Sequence, residues 1–157
     1  IEVLKTFNCP VVIMHLHGEP KTMQKQPLGV KDLNKVFQFL KNQTDFAQDA
    51  GIKKENIFID PGIGFGKTQE LNLKIIKELH SFKDLGYPVV LGLSRKSIIG
   101  RILDTEVENR LIGSICANMF GLMKGADIIR VHDVIETRQM ITVFEALTTG
   151  VLPAAKN

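Results

Sequence analysis

The 157-residue sequence predicts an α/β fold, half of an eight-fold (β/α) barrel. Two observations lead there. Apolar runs of strand length alternate with helical periods four times over, an order that makes parallel strands joined by right-handed crossovers. The outermost runs, at Val11 and Ile128, carry none of the charges or prolines that usually protect a sheet edge. A closed barrel covers both edges and normally needs about 250 residues. Residues 1–157 are therefore expected to form half of one barrel domain.

Pro10 leads into Val11 to Met14, an all-apolar run suited to a strand buried on both faces. Leu33, Val36, Phe37, Leu40, Thr44 and Ala47 recur at helical steps, with Gly51 as the stop. Asn56 to Asp60 is the second strand. Leu71, Ile75, Ile76 and Leu79 mark the second helix, which ends before Gly86-Tyr87-Pro88. Val89 to Leu93 is the third strand. The helix after it is expected at the capping-box spelling Thr105-Glu106-Val107-Glu108, and runs through Leu111, Ile115, Met119 and Leu122 to Lys124-Gly125. That apolar stripe reads as core or as a subunit interface. Asp127 to His132 is the fourth strand, and Asp133, with Glu136 three residues on, is expected to cap a last helix ending at Gly150.

The composition is globular, 44% apolar with a net charge of +3. Lysines are scattered, which argues against a nucleic-acid patch or a membrane-binding arm and suits a small anionic ligand. No apolar run approaches the roughly 18 to 20 residues that span a bilayer. Cys9 and Cys116 lie in no metal-ligand spacing and are expected as buried thiols in a reducing, cytoplasmic compartment. The start reads as cut, since Ile1 begins mid-pattern without an initiator Met or a charged leader.

Asn56 to Lys67 is the most informative stretch. An apolar strand carries Asp60 to its carboxyl end, where parallel barrels place their chemistry. Gly62, Gly64 and Gly66 follow, and are expected to let the backbone approach a ligand. Lys67-Thr68 suggests a nucleotide loop, but the P-loop spacing puts Pro61 where its first glycine belongs. The dinucleotide pattern also fails, because Gly62-Ile63-Gly64-Phe65-Gly66 closes one residue early.

All four strand ends fall on one rim. Cations gather at the last two, in Ser94-Arg95-Lys96-Ser97 and Arg130-Val131-His132-Asp133. Arg130 and His132 alternate on one strand face and can grip one anion, while Asp60 can accept two hydrogen bonds from a flat, nitrogen-rich ring. His15 and His17 lack a third ligand, so no zinc site is expected. His80 reads as an exposed helix-end residue.

With Met14-His15-Leu16-His17-Gly18 and Pro20-Lys21-Thr22-Met23-Gln24 ahead of them, these motifs resemble the dihydropteroate synthase family, in order and spacing, through essentially the whole chain. The resemblance implies an eight-fold (β/α) barrel, of which this chain would be the C-terminal half, strands five to eight with their helices. It also implies a folate-pathway transferase, a sulfonamide target, that joins 6-hydroxymethyl-7,8-dihydropterin diphosphate to 4-aminobenzoate and releases diphosphate. Asp60 would then bind the amino and ring-nitrogen edge of the pterin and Lys96 its acceptor side, with Met14 and Gly92 lining the slot. Phe65 and Ser94 match positions that meet aminobenzoate, and Arg130 and His132 match the diphosphate-binding pair. Mg²⁺ would bind through the diphosphate and an Asn from the family's first four strands. That half also supplies a pterin-binding Asp and Asn and two mobile loops, and none of these is in this chain, so the 157 residues alone are expected to be inactive. The intact family member is expected to be a homodimer. The rival enzyme is the related barrel that passes a methyl group from methyltetrahydrofolate to a cobalamin protein, and the non-enzymatic rival is a pterin- or anion-binding fragment.

Overall fold

The computed structural model describes residues 1–152 and 154. Its elements in chain order are α1 (Glu2–Phe7), β1 (Val11–Met14), α2 (Leu33–Asp49), β2 (Ile57–Asp60), α3 (Gln69–Lys77), β3 (Val90–Leu91), α4 (Ser97–Leu103), α5 (Leu111–Met123), β4 (Ile128–Ile129) and α6 (Val134–Thr149). Short 3₁₀ segments fill the joints, the longest at Leu79–Leu85.

The strands are parallel and follow one another in sequence order. β1 pairs with β2 from Val11 opposite Ile57 to Met14 opposite Asp60, and β3 pairs with β4 through Val90 opposite Ile128. A parallel bridge between Ile59 and Val89 joins the two pairs, with the Ile59 N–H donating to the Pro88 carbonyl at 3.0 Å. A strand order without reversal is that of a barrel wall rather than of a doubly wound sheet.

Alternation along the strands separates two faces. Ile57, Ile59, Val89 and Leu91 are fully buried and pack with Val36, Leu40, Ile75, Leu79 and Phe82 of the helical layer. The register puts Val12 and Met14, Phe58 and Asp60, and Val90 and Ile128 on the other face, where Val12 is 50% and Ile128 41% exposed. That face is apolar at its base and polar at its carboxyl rim.

Several expectations need correction. The regular part of β3 is Val90–Leu91 and that of β4 is Ile128–Ile129, because the chain beyond turns toward the rim. The Thr105 capping box starts no α-helix: a 3₁₀ turn at Val107–Asn109 intervenes, and the Arg110 guanidinium holds the Thr105 carbonyl instead. Asp133 stands at the N-terminus of α6 without capping it, since its carboxylate is taken by Arg95. The buried face of α5 is not the apolar stripe but Ser114, Asn118 and Gly121. A side chain at Gly121 would collide with Leu91, so only glycine lets the helix lie this close to β3. The thiols are unpaired but not buried: Cys9 is half-buried and Cys116 is exposed on α5 beside Ile112 and Phe120.

Candidate functional site

β2 delivers Asp60 to the rim, where it is 3% exposed. Its Oδ1 accepts from the Gly62 N–H at 2.7 Å, and its backbone carbonyl accepts from the His15 N–H at 3.0 Å. Burial raises its carboxyl above the usual carboxylate range, opposed by the Gly62 hydrogen bond and by the charges of Lys96, Arg130 and Lys67. This buried acceptor therefore faces several cations at once.

The glycines after Asp60 serve a different purpose from the expected one. Gly62 and Gly66 are left-handed, with φ of 69° and 68°, and a Cβ on either would collide with the carbonyl oxygen of His15 or His17. They let the loop after β1 dock on the turn, rather than letting the backbone near a ligand. Gly64, at φ 85°, has only the Lys96 side chain nearby, with Cδ 3.8 Å from where its Cβ would stand.

Side chains pin the turn from both sides. Lys67, 3% exposed, donates to the carbonyls of Gly62 at 2.7 Å, Phe65 at 3.1 Å and His15 at 3.4 Å. Desolvation pulls its ammonium down to about 7, against the Asp60 carboxylate, which pulls it up. Asn72 of α3 accepts from the Gly64 N–H at 2.8 Å, and Gln24 donates to the Gly64 carbonyl at 3.0 Å. His15 is buried edge-on to Phe39, its Nδ1 without a hydrogen bond. Desolvation, aided by the Lys67 charge, pulls it down to about 4, so it is neutral at pH 7.

Across the rim, Lys96 donates to the Ile63 carbonyl at 2.5 Å and lies 4.8 Å from the centroid of the Phe65 ring. Desolvation lowers it to about 8, with Asp60 opposing. Ser94 is 5% exposed, and its Oγ receives the His132 N–H at 3.2 Å and stands 3.0 Å from His132 Nδ1. The Arg130 guanidinium lies against Gly92, with Nη2 3.2 Å from where a Cβ would stand. Arg130 takes no part in the ion pairs among the described residues. Arg95, in contrast, adopts a left-handed φ of 56° and makes a two-point pair with Asp133.

The geometry thus gathers Met14, Asp60, Phe65, Gly92, Ser94, Lys96, Arg130 and His132 on one rim, and engages Arg95 with Asp133. It adds residues that sequence reasoning missed. Lys67 was legible only as a failed P-loop lysine, and no sequence pattern singled out Asn72. Ser114 and Arg110 hold the Arg95 backbone, at 2.9 Å to its N–H and 3.1 Å to its carbonyl. Among the described residues no three His, Cys, Asp or Glu side chains come together to hold a metal. An apolar groove of about 580 Å³ lies elsewhere, on the outer layer between α3, α4 and α5.

The structure thus presents a parallel α/β wall with a buried carboxylate and cations on its carboxyl rim. The chain belongs to the pterin binding enzyme family, whose sequence profile matches residues 1–132. It is 46% identical over 146 residues to the dihydropteroate synthase of Haemophilus influenzae, covering 93% of this chain and 53% of that protein. Two solved structures are also similar. The dihydropteroate synthase of Yersinia pestis, described as a sulfonamide drug complex, superposes with a TM-score of 0.90 at 35% identity, over 96% of this chain and 55% of that one. That of Thermus thermophilus in complex with 4-aminobenzoate gives 0.82 at 38% identity, over 87% of this chain and 56% of that one. The chain spans about half the length of the curated relatives it matches.

Proposed function

We propose that this chain is the second half of a dihydropteroate synthase barrel, contributing strands five to eight and one side of its active site. The observation that carries the reading is the single rim on which Asp60, Lys96, and the Arg130 and His132 pair converge. Asp60 accepts from the amino and ring-nitrogen edge of the pterin, through Oδ2 as well as the Oδ1 already held by Gly62. Lys96 donates to the acceptor side and gives up or shares its bond to Ile63. Met14 and Gly92 line the slot, Phe65 and Ser94 meet 4-aminobenzoate, and Arg130 with His132 takes the diphosphate.

The reaction is a substitution at the pterin methylene. The C–O bond breaks and its electron pair leaves with diphosphate, the aminobenzoate nitrogen bonds to the carbon, and the nitrogen loses a proton. A buried carboxylate faces the pterin cation, and two fixed cationic or hydrogen-bonding side chains face the departing anion, each in place before charge develops. Mg²⁺, where bound, would neutralise the diphosphate. Its ligand is assigned outside this chain, and no step here depends on it.

The open sheet face, with Val12 and Ile128 exposed, supports the view that the 157 residues form half of a single domain and are inactive by themselves. The exposed apolar side of α5, Ile112 with Met119, Phe120 and Met123, supports a homodimer in the intact enzyme. No helix among the described residues is long and apolar enough to cross a membrane, and the unpaired thiols suit a cytoplasmic location. Calorimetric titration of the full-length polypeptide carrying this sequence separates the alternatives. Binding of 6-hydroxymethyl-7,8-dihydropterin diphosphate followed by turnover with 4-aminobenzoate is expected. Preference for methyltetrahydrofolate would replace this reading with the methyl-transfer barrel, and binding without turnover would leave a pterin-binding protein.

A further inference from the structure

Five successive carbonyls of the turn after Asp60 are each held from outside the turn's own backbone ladder. Gly62 and Phe65 are bound by Lys67, Ile63 by Lys96, Gly64 by Gln24, and Gly66 by the Leu28 N–H at 2.9 Å. Lys67 is the only one of these donors to serve two of the carbonyls, and it also reaches the His15 carbonyl of the neighbouring loop. Its three acceptors match the three N–H bonds of an ammonium. Gly62 is gripped at both ends: its N–H goes to Asp60 Oδ1 and its carbonyl to Lys67 Nζ, each at 2.7 Å. Asp60 has no other hydrogen bond to its side chain among the described residues, so its orientation depends on where Gly62 is held.

We infer that Lys67 is a positioning residue for pterin recognition, its ammonium clamping the turn so that Asp60 and Phe65 face the ligand; this rests on the reading of the site as a pterin pocket. Lys67 touches no substrate in this role. It acts through Gly62 on Asp60 and through the Phe65 carbonyl on the ring beside Lys96. Removing the ammonium leaves the acceptors of Gly62, Phe65 and His15 unmet in a buried place, and the turn relaxes to meet them. Arg130 and His132 stand on a different strand and loop, so their grip on an anion is untouched.

The test compares Lys67→Met and Lys67→Gln with wild type in the full-length polypeptide carrying this sequence. Calorimetry reads the Kd for 6-hydroxymethyl-7,8-dihydropterin and, separately, for inorganic diphosphate, with circular dichroism to establish folding. Lys67→Met is expected to raise the pterin Kd at least tenfold and leave the diphosphate Kd within twofold. Lys67→Gln, which keeps an amide donor, is expected between Met and wild type. A folded Lys67→Met with unchanged pterin affinity overturns the proposal, as does an equal loss for both ligands. If Lys67→Met does not fold, Lys67→Gln carries the comparison, and failure of both to fold makes Lys67 a core residue and overturns the proposal. Wild type that binds no pterin overturns the proposed function itself, and the role of Lys67 with it.

Discussion

Asp60 is almost fully buried, with one backbone N–H on its carboxylate and three cations around it. Burial raises its folded-state affinity for a proton, so this carboxylate works against stability once it ionises, above its unfolded value. Asp60→Asn keeps an oxygen for the Gly62 N–H and removes that cost. In the full-length polypeptide carrying this sequence, the variant is therefore expected to melt no lower than wild type at pH 7 while losing at least a hundredfold in turnover, read by thermal melts and a dihydropteroate assay. His15 has the opposite consequence. The unfolded chain takes up its proton near 6.5, and the fold resists until about 4, so the unfolded state holds more protons in that window. Stability should fall as pH drops from 6.5 toward 4, by about 3 kcal/mol from this group. Urea melts of wild type and His15→Gln across that range measure the difference, which should shrink toward zero in the variant. Asp60 was legible as a rim carboxylate, because an apolar strand ended on it. His15 was legible only as half of a weak metal pair, because sequence does not show that Phe39 covers it.

At the scale of elements, the turn between β2 and α3 tolerates change unevenly. Gly62→Ala meets both a left-handed backbone and the His15 carbonyl, and is expected to destabilise by more than about 4 kcal/mol. Gly64→Ala meets only the Lys96 side chain, at an ordinary contact distance, and should cost only the conformational penalty, about 1–2 kcal/mol. Equal losses in chemical denaturation would contradict the docking of the two loops. The strands and the long helices were readable because apolar runs and three- and four-residue steps report burial directly. α1 and α4 were not. α1 has six residues and buries none, so it leaves no apolar period, and the seven-residue α4 is too short to set one apart from the loop before it. α5 misled for a different reason. Its apolar face is the exposed one, and its buried face is small and polar because Ser114 serves the Arg95 loop and Gly121 clears Leu91.

At the scale of the whole molecule, sequential parallel strands make a wall with helices on one side and an open face on the other. Apolar edges at Val11 and Ile128 were enough to suggest a half barrel, since an isolated sheet would guard them. The lacing of the rim was hidden, because the contacts of Lys67, Asn72 and Arg95 join residues distant in sequence or invisible to periodicity. The chemistry proposed for this rim needs a second wall to close the pterin slot. The most direct test measures dihydropteroate formation from 6-hydroxymethyl-7,8-dihydropterin diphosphate and 4-aminobenzoate, by the full-length polypeptide carrying this sequence and by the 157 residues alone. Turnover by the former and none by the latter is the predicted result; no turnover by the former, or undiminished turnover by the latter, would contradict it.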